Sequence, residues 1–206
     1  MHISSHAVAH NSNNVSPKIY IIAGCNGAGK TTASFSILPQ LLNCDEFVNA
    51  DEIARGLCPF HPERVSIEAG RLMLERINTL MLKRTTFALE TTLSTRSYES
   101  LIKRAHKAGY VVDLLFFWLS SPEVAIQRVA KRVSEGGHNI PEDIIRRRYV
   151  AGIKNLFSIY TEAVDRWLLI DNNSHAKVLA ESNHGITKIY DFDRFKRIMN
   201  YGNDEQ

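Results

Sequence analysis

Residues 18–24 read Lys-Ile-Tyr-Ile-Ile-Ala-Gly, and residues 25–32 continue with Cys-Asn-Gly-Ala-Gly-Lys-Thr-Thr. The first segment is rich in β-branched and aromatic side chains, which is typical of a buried strand. Gly24, Gly29, Lys30 and Thr31 then fit the phosphate-binding pattern G-x-x-x-x-G-K-[ST]. This order of strand, glycine-rich loop and expected helix predicts a P-loop that binds a nucleoside triphosphate.

The chemistry of such a loop explains its residue types. Glycines let the backbone N–H groups turn inward, and the following helix presents its positive end to a phosphate. Lys30 supplies a point charge for the β- and γ-phosphates, and the Thr31 hydroxyl is a predicted ligand of Mg²⁺. A glycine turn without a ligand is the alternative. The residues predicted to bind the nucleotide here are Gly24, Cys25, Asn26, Gly27, Ala28, Gly29, Lys30, Thr31 and Thr32.

The composition fits one α/β domain and limits the partners. The chain has 206 residues, 44% of them hydrophobic, which supports a proper core. A net charge of +3 is too weak for a concentrated basic patch, so we expect no nucleic-acid partner. The longest apolar run, near residues 111–119, is too short to cross a bilayer, so we expect no membrane contact. Three scattered cysteines without metal-ligand spacing indicate a reducing, cytoplasmic setting.

The pattern along the chain predicts a P-loop NTPase fold. Residues 1–16 are rich in His, Ser and Asn and lack an apolar core segment, which predicts a disordered lead-in and not a signal peptide. Residues 17–206 form a single predicted P-loop domain. Five strands alternate with helices in it, which favours a mainly parallel sheet with helices on both faces. Residues 175–206 read as a C-terminal appendage with a hairpin and a last helix that begins near Asp193.

Asp51 follows a short strand candidate at residues 46–49. An Asp before an apolar run is often a helix N-cap, and this is one interpretation of Asp51. The other is a catalytic carboxylate at the carboxyl edge of the sheet, where doubly wound sheets bind their ligands. The P-loop, Asp51 and Glu90 all fall just past predicted strand ends, and this coincidence favours the catalytic interpretation.

Glu90 ends the predicted strand at residues 86–90, where a P-loop enzyme usually carries a magnesium-binding Asp. A Glu followed by several hydroxyl groups suggests hydrogen bonds to a polyhydroxylated substrate. Thr91, Thr92 and Arg96 belong to this predicted substrate-binding set. A solvated loop that caps the next helix is the alternative.

Residues 121–150 are predicted to form a lid made of two helices. Arg128 and Arg132 are four residues apart and therefore share one face of the first helix. A Gly-Gly loop then leads to the second helix with Arg146, Arg147 and Arg148, of which Arg147 lies farthest from the apolar stripe. We expect Arg132 and Arg147 to act on the transferred phosphate and Arg128 to bind the nucleotide. Two basic, solvent-facing helices are the alternative.

At this point the sequence resembles the zeta-toxin-like kinases, from the P-loop strand to the helix after the lid. The segments that carry the resemblance are Gly24–Thr31, Asn49-Ala50-Asp51-Glu52-Ile53, Leu89-Glu90-Thr91-Thr92-Leu93, and Gly136-Gly137-His138-Asn139-Ile140-Pro141 with Arg146-Arg147-Arg148-Tyr149. The resemblance implies that Lys30 contacts phosphate and that Asp51 is the catalytic base. It also implies that Glu90 binds the acceptor, while Arg132 and one arginine of residues 146–148 clamp the triphosphate.

The resemblance further implies a substrate and a partner. Members of this family phosphorylate UDP-N-acetylglucosamine on the sugar 3′-hydroxyl, and an antitoxin protein blocks their ATP site. Three functions therefore fit the sequence: a nucleotide-sugar kinase, a small-molecule or nucleotide kinase with another acceptor, and a nucleotide-gated binding module with slow or no hydrolysis. A binding module has no need for Asp51 and Glu90 at the rim. The sequence thus favours an enzyme that uses ATP and Mg²⁺ to phosphorylate a hydroxyl group.

Overall fold

The computed structural model describes residues 16–203. The segment 1–16, predicted to be a disordered lead-in, lies outside this range apart from Ser16. Within the described range, one sheet contains seven strands. They are β1 (Lys18–Gly24), β2 (Phe47–Val48), β3 (Phe87–Thr91), β4 (Val111–Trp118), β5 (Arg166–Asp171), β6 (Lys177–Asn183) and β7 (Ile186–Ile189).

Helices connect the parallel strands and lie on both faces of the sheet. They are α1 (Lys30–Leu41), α2 (Ala50–Leu57), α3 (Ser66–Leu82), α4 (Tyr98–Lys107), α5 (Pro122–Ser134), α6 (Glu142–Asn155), α7 (Thr161–Ala163) and α8 (Phe192–Asn203). A 3₁₀ turn, Pro62–Val65, precedes α3, and a π-helical turn, Leu156–Tyr160, follows α6. Within residues 16–203, no helix is both long and apolar enough to pass through a lipid bilayer.

The strand order is β2-β3-β1-β4-β5-β6-β7. The first five strands are parallel, and the last two are antiparallel. The predicted α/β fold with a mainly parallel sheet is confirmed, but the predicted count of five strands is wrong. The hairpin expected in the C-terminal appendage pairs along β5 and extends the sheet, because a short connection suffices for antiparallel neighbours.

The register of the central strands places the site. Strands β1 and β4 are almost wholly buried, as expected for parallel strands that are covered on both faces. Ala23 pairs with Thr91 across β1 and β3, and Val48 pairs with Leu89 across β2 and β3. The residues that follow β1 and β2 therefore meet Glu90 at one edge of the sheet. This is the carboxyl edge, where parallel α/β sheets bind ligands.

Candidate active site

The predicted P-loop connects β1 to α1. Gly29, directly before α1, has φ +81°, a left-handed conformation that glycine adopts without strain. A Cβ atom there would lie 2.7 Å from the side-chain nitrogen of Asn172, so the position also lacks room for a side chain. Lys30 is buried, and its Nζ donates a hydrogen bond to the backbone carbonyl of Cys25 at 3.0 Å. The loop thus wraps around the lysine that is expected to face a phosphate.

Cys25 is a structural residue of this loop. Burial raises the pKa of its thiol to about 11, while Lys30, a backbone hydrogen bond and Arg128 act in the opposite direction. The thiol therefore stays protonated at neutral pH and is a poor nucleophile.

Glu90 lies against the P-loop. One carboxylate oxygen accepts hydrogen bonds from the Thr31 hydroxyl at 2.7 Å and from the Asn49 amide at 2.9 Å. The other oxygen lies 3.5 Å from the Lys30 ammonium, and the Glu90 side chain is only 10% exposed. The carboxylate therefore lies against the P-loop, on the side of the site that is expected to hold the phosphates.

Asn49 caps helix α2 and leaves the side chain of Asp51 available. The side-chain oxygen of Asn49 accepts hydrogen bonds from the backbone N–H groups of Asp51 at 2.8 Å and Glu52 at 3.4 Å. The interpretation of Asp51 as the N-cap is therefore wrong. Asp51 is exposed in the first turn of α2, where a carboxylate also interacts favourably with the helix dipole.

A cavity of about 430 Å³ is lined by the P-loop and by Asp51. Its wall consists of P-loop residues, α2, the 3₁₀ turn with the first residue of α3, Glu90, and residues of α5 and of the loop that follows it. The lining residues are Asn26, Gly27, Gly29, Lys30, Thr31, Thr32, Ala50, Asp51, Glu52, Ala54, Arg55, Pro62, Glu63, Ser66, Glu90, Arg128, Arg132 and His138. The predicted site residues Gly24, Cys25, Ala28, Thr91, Thr92, Arg96 and Arg147 are not among the described residues that line it.

The loop after Glu90 bonds mainly to itself and to the helices behind it. The Thr91 hydroxyl accepts from the backbone N–H of Leu93 at 3.0 Å, and the Thr92 hydroxyl pairs with that of Ser94 at 2.9 Å. Asn155, at the end of α6, donates to the carbonyl of Leu93 at 2.9 Å. Arg96 is exposed. The loop is thus held by its own hydroxyl groups and by α6, and within the described range none of its side chains caps α4, so the expected capping role is not seen.

In the described part of the chain, the guanidinium group of Arg132 has one nitrogen that donates a hydrogen bond and one buried nitrogen that does not. Its terminal nitrogen donates to the carbonyl of His138 at 2.9 Å, while its buried Nε has no hydrogen-bond partner within residues 16–203. A Cβ atom at Gly137 would lie 2.7 Å from the Arg132 Cγ, so the glycine permits this tight loop. A buried, unpaired donor of a guanidinium group at the cavity wall is suited to an anion such as a phosphate.

The three consecutive arginines of α6 have different surroundings. Arg146 pairs with Glu123, and this hydrogen bond is the main reason why the pKa of that carboxyl falls to about 2. Arg148 donates to the side-chain oxygen of Asn26 in the P-loop at 3.2 Å. Arg147 is exposed. The structure thus brings Arg148 to the P-loop in place of the predicted Arg147.

The sequence did not indicate that Asn172 and Asn173 lie beside the site. The same is true of the contact between Asn49 and Glu90. The Asn172 amide donates to the carbonyl of Ala28 at 2.8 Å, and the Asn173 carbonyl accepts from Arg128 at 2.6 Å. Both residues directly follow β5, so the rule that ligands bind past the carboxyl ends of parallel strands was the available signal.

The donor set at the P-loop suits a hard cation. The Thr31 hydroxyl and the Glu90 carboxylate are adjacent oxygen ligands of the kind that Mg²⁺ prefers. In the described part of the chain, no group of three or more His, Cys, Asp or Glu side chains forms a metal cluster. Mg²⁺ usually binds to one or two protein oxygens together with substrate phosphates and water, and Thr31 with Glu90 offers such a pair.

Comparison with known structures supports the same fold. The complex of AvrRxo1-ORF1 with AvrRxo1-ORF2, with sulphate ions, superposes with a TM-score of 0.77 at 18% identity over 91% of this chain. This chain spans 65% of the length of that relative. The same complex with ATP gives a TM-score of 0.74 at 18% identity, over 91% of this chain and 65% of the other. The PezAT toxin-antitoxin system of Streptococcus pneumoniae gives 0.62 at 16% identity, over 92% of this chain and 87% of the other.

Sequence comparison identifies the family. An uncharacterised protein of Haemophilus influenzae is 31% identical over 135 residues, which are 64% of this chain and 92% of that protein. The zeta toxin family model matches residues 5–184, which include the P-loop, Asp51, Glu90 and the lid. The chain therefore belongs to the zeta toxin family.

Proposed function

We propose that this protein is an ATP-dependent kinase that phosphorylates a hydroxyl group of a small molecule, namely a nucleotide sugar such as UDP-N-acetylglucosamine. The observation that supports this most strongly is that the P-loop, Asp51 and two lid arginines line one cavity. Phosphoryl transfer depends mainly on positioning and on stabilising charge, and these residue types supply both.

Asp51 is the proposed general base, as the family resemblance also implies. Its carboxylate accepts the proton of the acceptor hydroxyl while the oxygen forms a bond to the γ-phosphorus. The bond between the γ-phosphorus and the bridging oxygen breaks, and the negative charge moves onto the departing ADP. Lys30 and Arg132 stabilise this charge, with Arg148 holding Asn26 of the P-loop beside them.

Mg²⁺ is the proposed metal, with Thr31 and Glu90 as the residues that hold it, directly or through water. Bound there, the ion neutralises part of the charge on the β- and γ-phosphates. The hydrogen bond from Asn49 keeps the Glu90 carboxylate turned toward the P-loop.

A second cavity supports an acceptor of considerable size. It measures about 640 Å³ and shares Arg55, Pro62, Arg132 and His138 with the first cavity. Phe60, also in its wall, is 91% exposed and presents a free aromatic face. Arginines beside an aromatic ring suit the diphosphate and the base of a nucleotide sugar.

The relatives support the proposed nucleotide and partner. The AvrRxo1-ORF1 complex contains ATP, and PezAT is a toxin-antitoxin system. We extend both features to this chain: ATP as phosphate donor and an antitoxin protein that covers the open cavity. The three free cysteines fit a reducing cytoplasm as its place of action.

The test is transfer by the purified protein. With Mg-ATP and UDP-N-acetylglucosamine, mass spectrometry should detect a phosphorylated nucleotide sugar. The variant Lys30→Ala should bind ATP more weakly and form no product, because the β/γ-phosphate charge loses its partner. Phosphate on a different hydroxyl compound would contradict the nucleotide-sugar assignment and select another small-molecule kinase. Nucleotide binding without transfer to any hydroxyl compound would contradict the kinase and favour a nucleotide-gated binding module.

A further inference from the structure

Asp171 is a buried carboxylate at the end of β5 to which no role has been assigned so far. Its residue exposure is only 5%. One oxygen accepts from the backbone N–H of Asn173 at 2.9 Å and from the side-chain amide of the same residue at 2.5 Å. The other oxygen accepts from the guanidinium group of Arg194 in α8. A buried carboxylate with this many donors is fully compensated, and it fixes the conformation of the turn that follows.

This turn touches the nucleotide-binding region directly. The Asn173 carbonyl accepts a hydrogen bond from the terminal nitrogen of Arg128 at 2.6 Å, and Arg128 lines the cavity. The Asn173 side-chain oxygen accepts from the backbone N–H and the hydroxyl of Ser120, at 2.9 and 2.8 Å. Asp171 therefore fixes Asn173, and the backbone carbonyl of Asn173 in turn fixes Arg128.

Arg194 is anchored outside the cavity. Its backbone N–H donates to the Asp191 carboxylate at 3.1 Å, and its Nε lies 3.5 Å from the same group. The neighbouring Phe195 stacks on Trp167 with ring centroids 6.4 Å apart and meets Phe157 edge-on at 5.7 Å. The C-terminal helix is thereby packed on the sheet with Arg194 aimed at Asp171.

We propose that Arg194 and Asp171 are positioning residues that set the conformation of Arg128 through Asn173. This inference rests on the proposed function, because it takes the cavity beside Arg128 to be the ATP site. An arginine side chain has several rotatable bonds, and ordering it costs conformational entropy when a nucleotide binds. Because the Asn173 carbonyl already holds Arg128 in place, less of this cost remains to be met on binding. The C-terminal helix, which the sequence suggested to be an appendage, then contributes to ATP affinity without touching the nucleotide.

The experiment measures the Kd of a non-hydrolysable ATP analogue by calorimetry, together with KM for ATP, kcat and the melting temperature. Arg194→Gln and the isosteric Asp171→Asn should each raise the Kd and the KM about tenfold, the effect of one lost charge-assisted hydrogen bond. Arg194→Lys, which keeps the charge, should restore part of the affinity. Arg197→Gln is the matched control on the same helix, because Arg197 bonds only weakly to the carbonyl of Asp193 at 3.4 Å.

A double variant separates positioning from general stability. If Arg194 acts through Arg128, Arg194→Gln should change the Kd less than twofold in a protein that already carries Arg128→Ala. The same fold-change in both backgrounds would overturn the proposal. So would wild-type Kd values for the folded Arg194→Gln and Asp171→Asn proteins, or a lower melting temperature as their only effect. A wild type that binds the analogue but transfers no phosphate would overturn the proposed kinase alone, because these Kd comparisons need no turnover.

Discussion

The side-chain amide of Asn49 donates a hydrogen bond to the carboxylate of Glu90 at 2.9 Å, while its side-chain oxygen accepts from the backbone N–H of Asp51 at 2.8 Å. One residue therefore caps α2 and orients the carboxylate that faces the P-loop. The cap fixes where α2 begins, and with it the position of Asp51 on the cavity wall.

Changes at Asn49 should separate capping from site geometry. Asn49→Ala loses the cap and should lower the free energy of unfolding by about 0.5–2 kcal/mol. Asn49→Asp should keep the cap but place a second carboxylate against Glu90, so turnover should fall sharply although the N-cap of α2 is retained. Thermal melts and phosphate-transfer assays on the variants provide the comparison. Wild-type turnover in Asn49→Asp would contradict the proposed orienting role.

Glu90→Gln tests the metal role against the acceptor role. If Glu90 holds Mg²⁺, the variant should need a higher Mg²⁺ concentration for half-maximal rate, and KM for the acceptor should change little. Rates measured over a Mg²⁺ titration, at several acceptor concentrations, give both quantities. A raised acceptor KM with an unchanged Mg²⁺ requirement would support the role expected from the sequence.

The arginines of α6 should differ in their effect on catalysis. Arg148→Ala removes the contact to Asn26, so it should lower kcat, as should Arg132→Ala at the cavity wall. Arg147→Ala is the matched control on the same helix and should behave like the wild type. Steady-state kinetics with varied ATP decide the matter. A lower kcat in Arg147→Ala, with Arg148→Ala unaffected, would instead support the expectation from helical periodicity that Arg147 acts on the transferred phosphate.

The thiols offer a test of the P-loop environment. Cys25 and Cys44 are buried, and burial raises the pKa of both thiols, to about 11 for Cys25. At pH 8 the reactive thiolate of Cys25 is therefore scarce, and Cys58, which is partly exposed, should react first with a thiol reagent. Mass spectrometry should find one rapid label on the folded protein and three labels after unfolding. Labelling of Cys25 as fast as that of Cys58 would contradict the burial of Cys25 within the P-loop.

The sequence was most informative where the signal is local. The P-loop is a contiguous pattern whose strand, turn and helix follow from neighbouring residues, so Lys30 and Thr31 could be placed without the structure. The hairpin after β5 was also predicted, from two strand candidates that flank the sequence Ser-Asn-His-Gly at residues 182–185. Its antiparallel pairing along β5 was not predicted, although only residues 172–176 separate β5 from β6.

The differences between the expected and the observed surroundings of the site residues come from long-range geometry. Helical periodicity orients Arg146, Arg147 and Arg148 only relative to the apolar stripe of their own helix, and it does not say where the P-loop lies. The contact between Asn172 and Ala28 joins residues that are far apart in the chain, so neither residue signals the other. Asp51 was considered as the cap of α2 because an Asp before an apolar run is a common N-cap, but Asn49, two residues earlier, is an equally good one.

The most direct test of the account is the rate of phosphate transfer by Asp51→Asn. Because Asn49 is the cap, this substitution should lower the melting temperature only slightly, through the lost interaction of the Asp51 charge with the dipole of α2, while it removes the proton acceptor. With Mg-ATP and UDP-N-acetylglucosamine, the account predicts that the folded variant still binds ATP and that transfer falls by about 10²–10⁴-fold, the usual effect of losing a general base. A folded Asp51→Asn protein that transfers phosphate at the wild-type rate would contradict it.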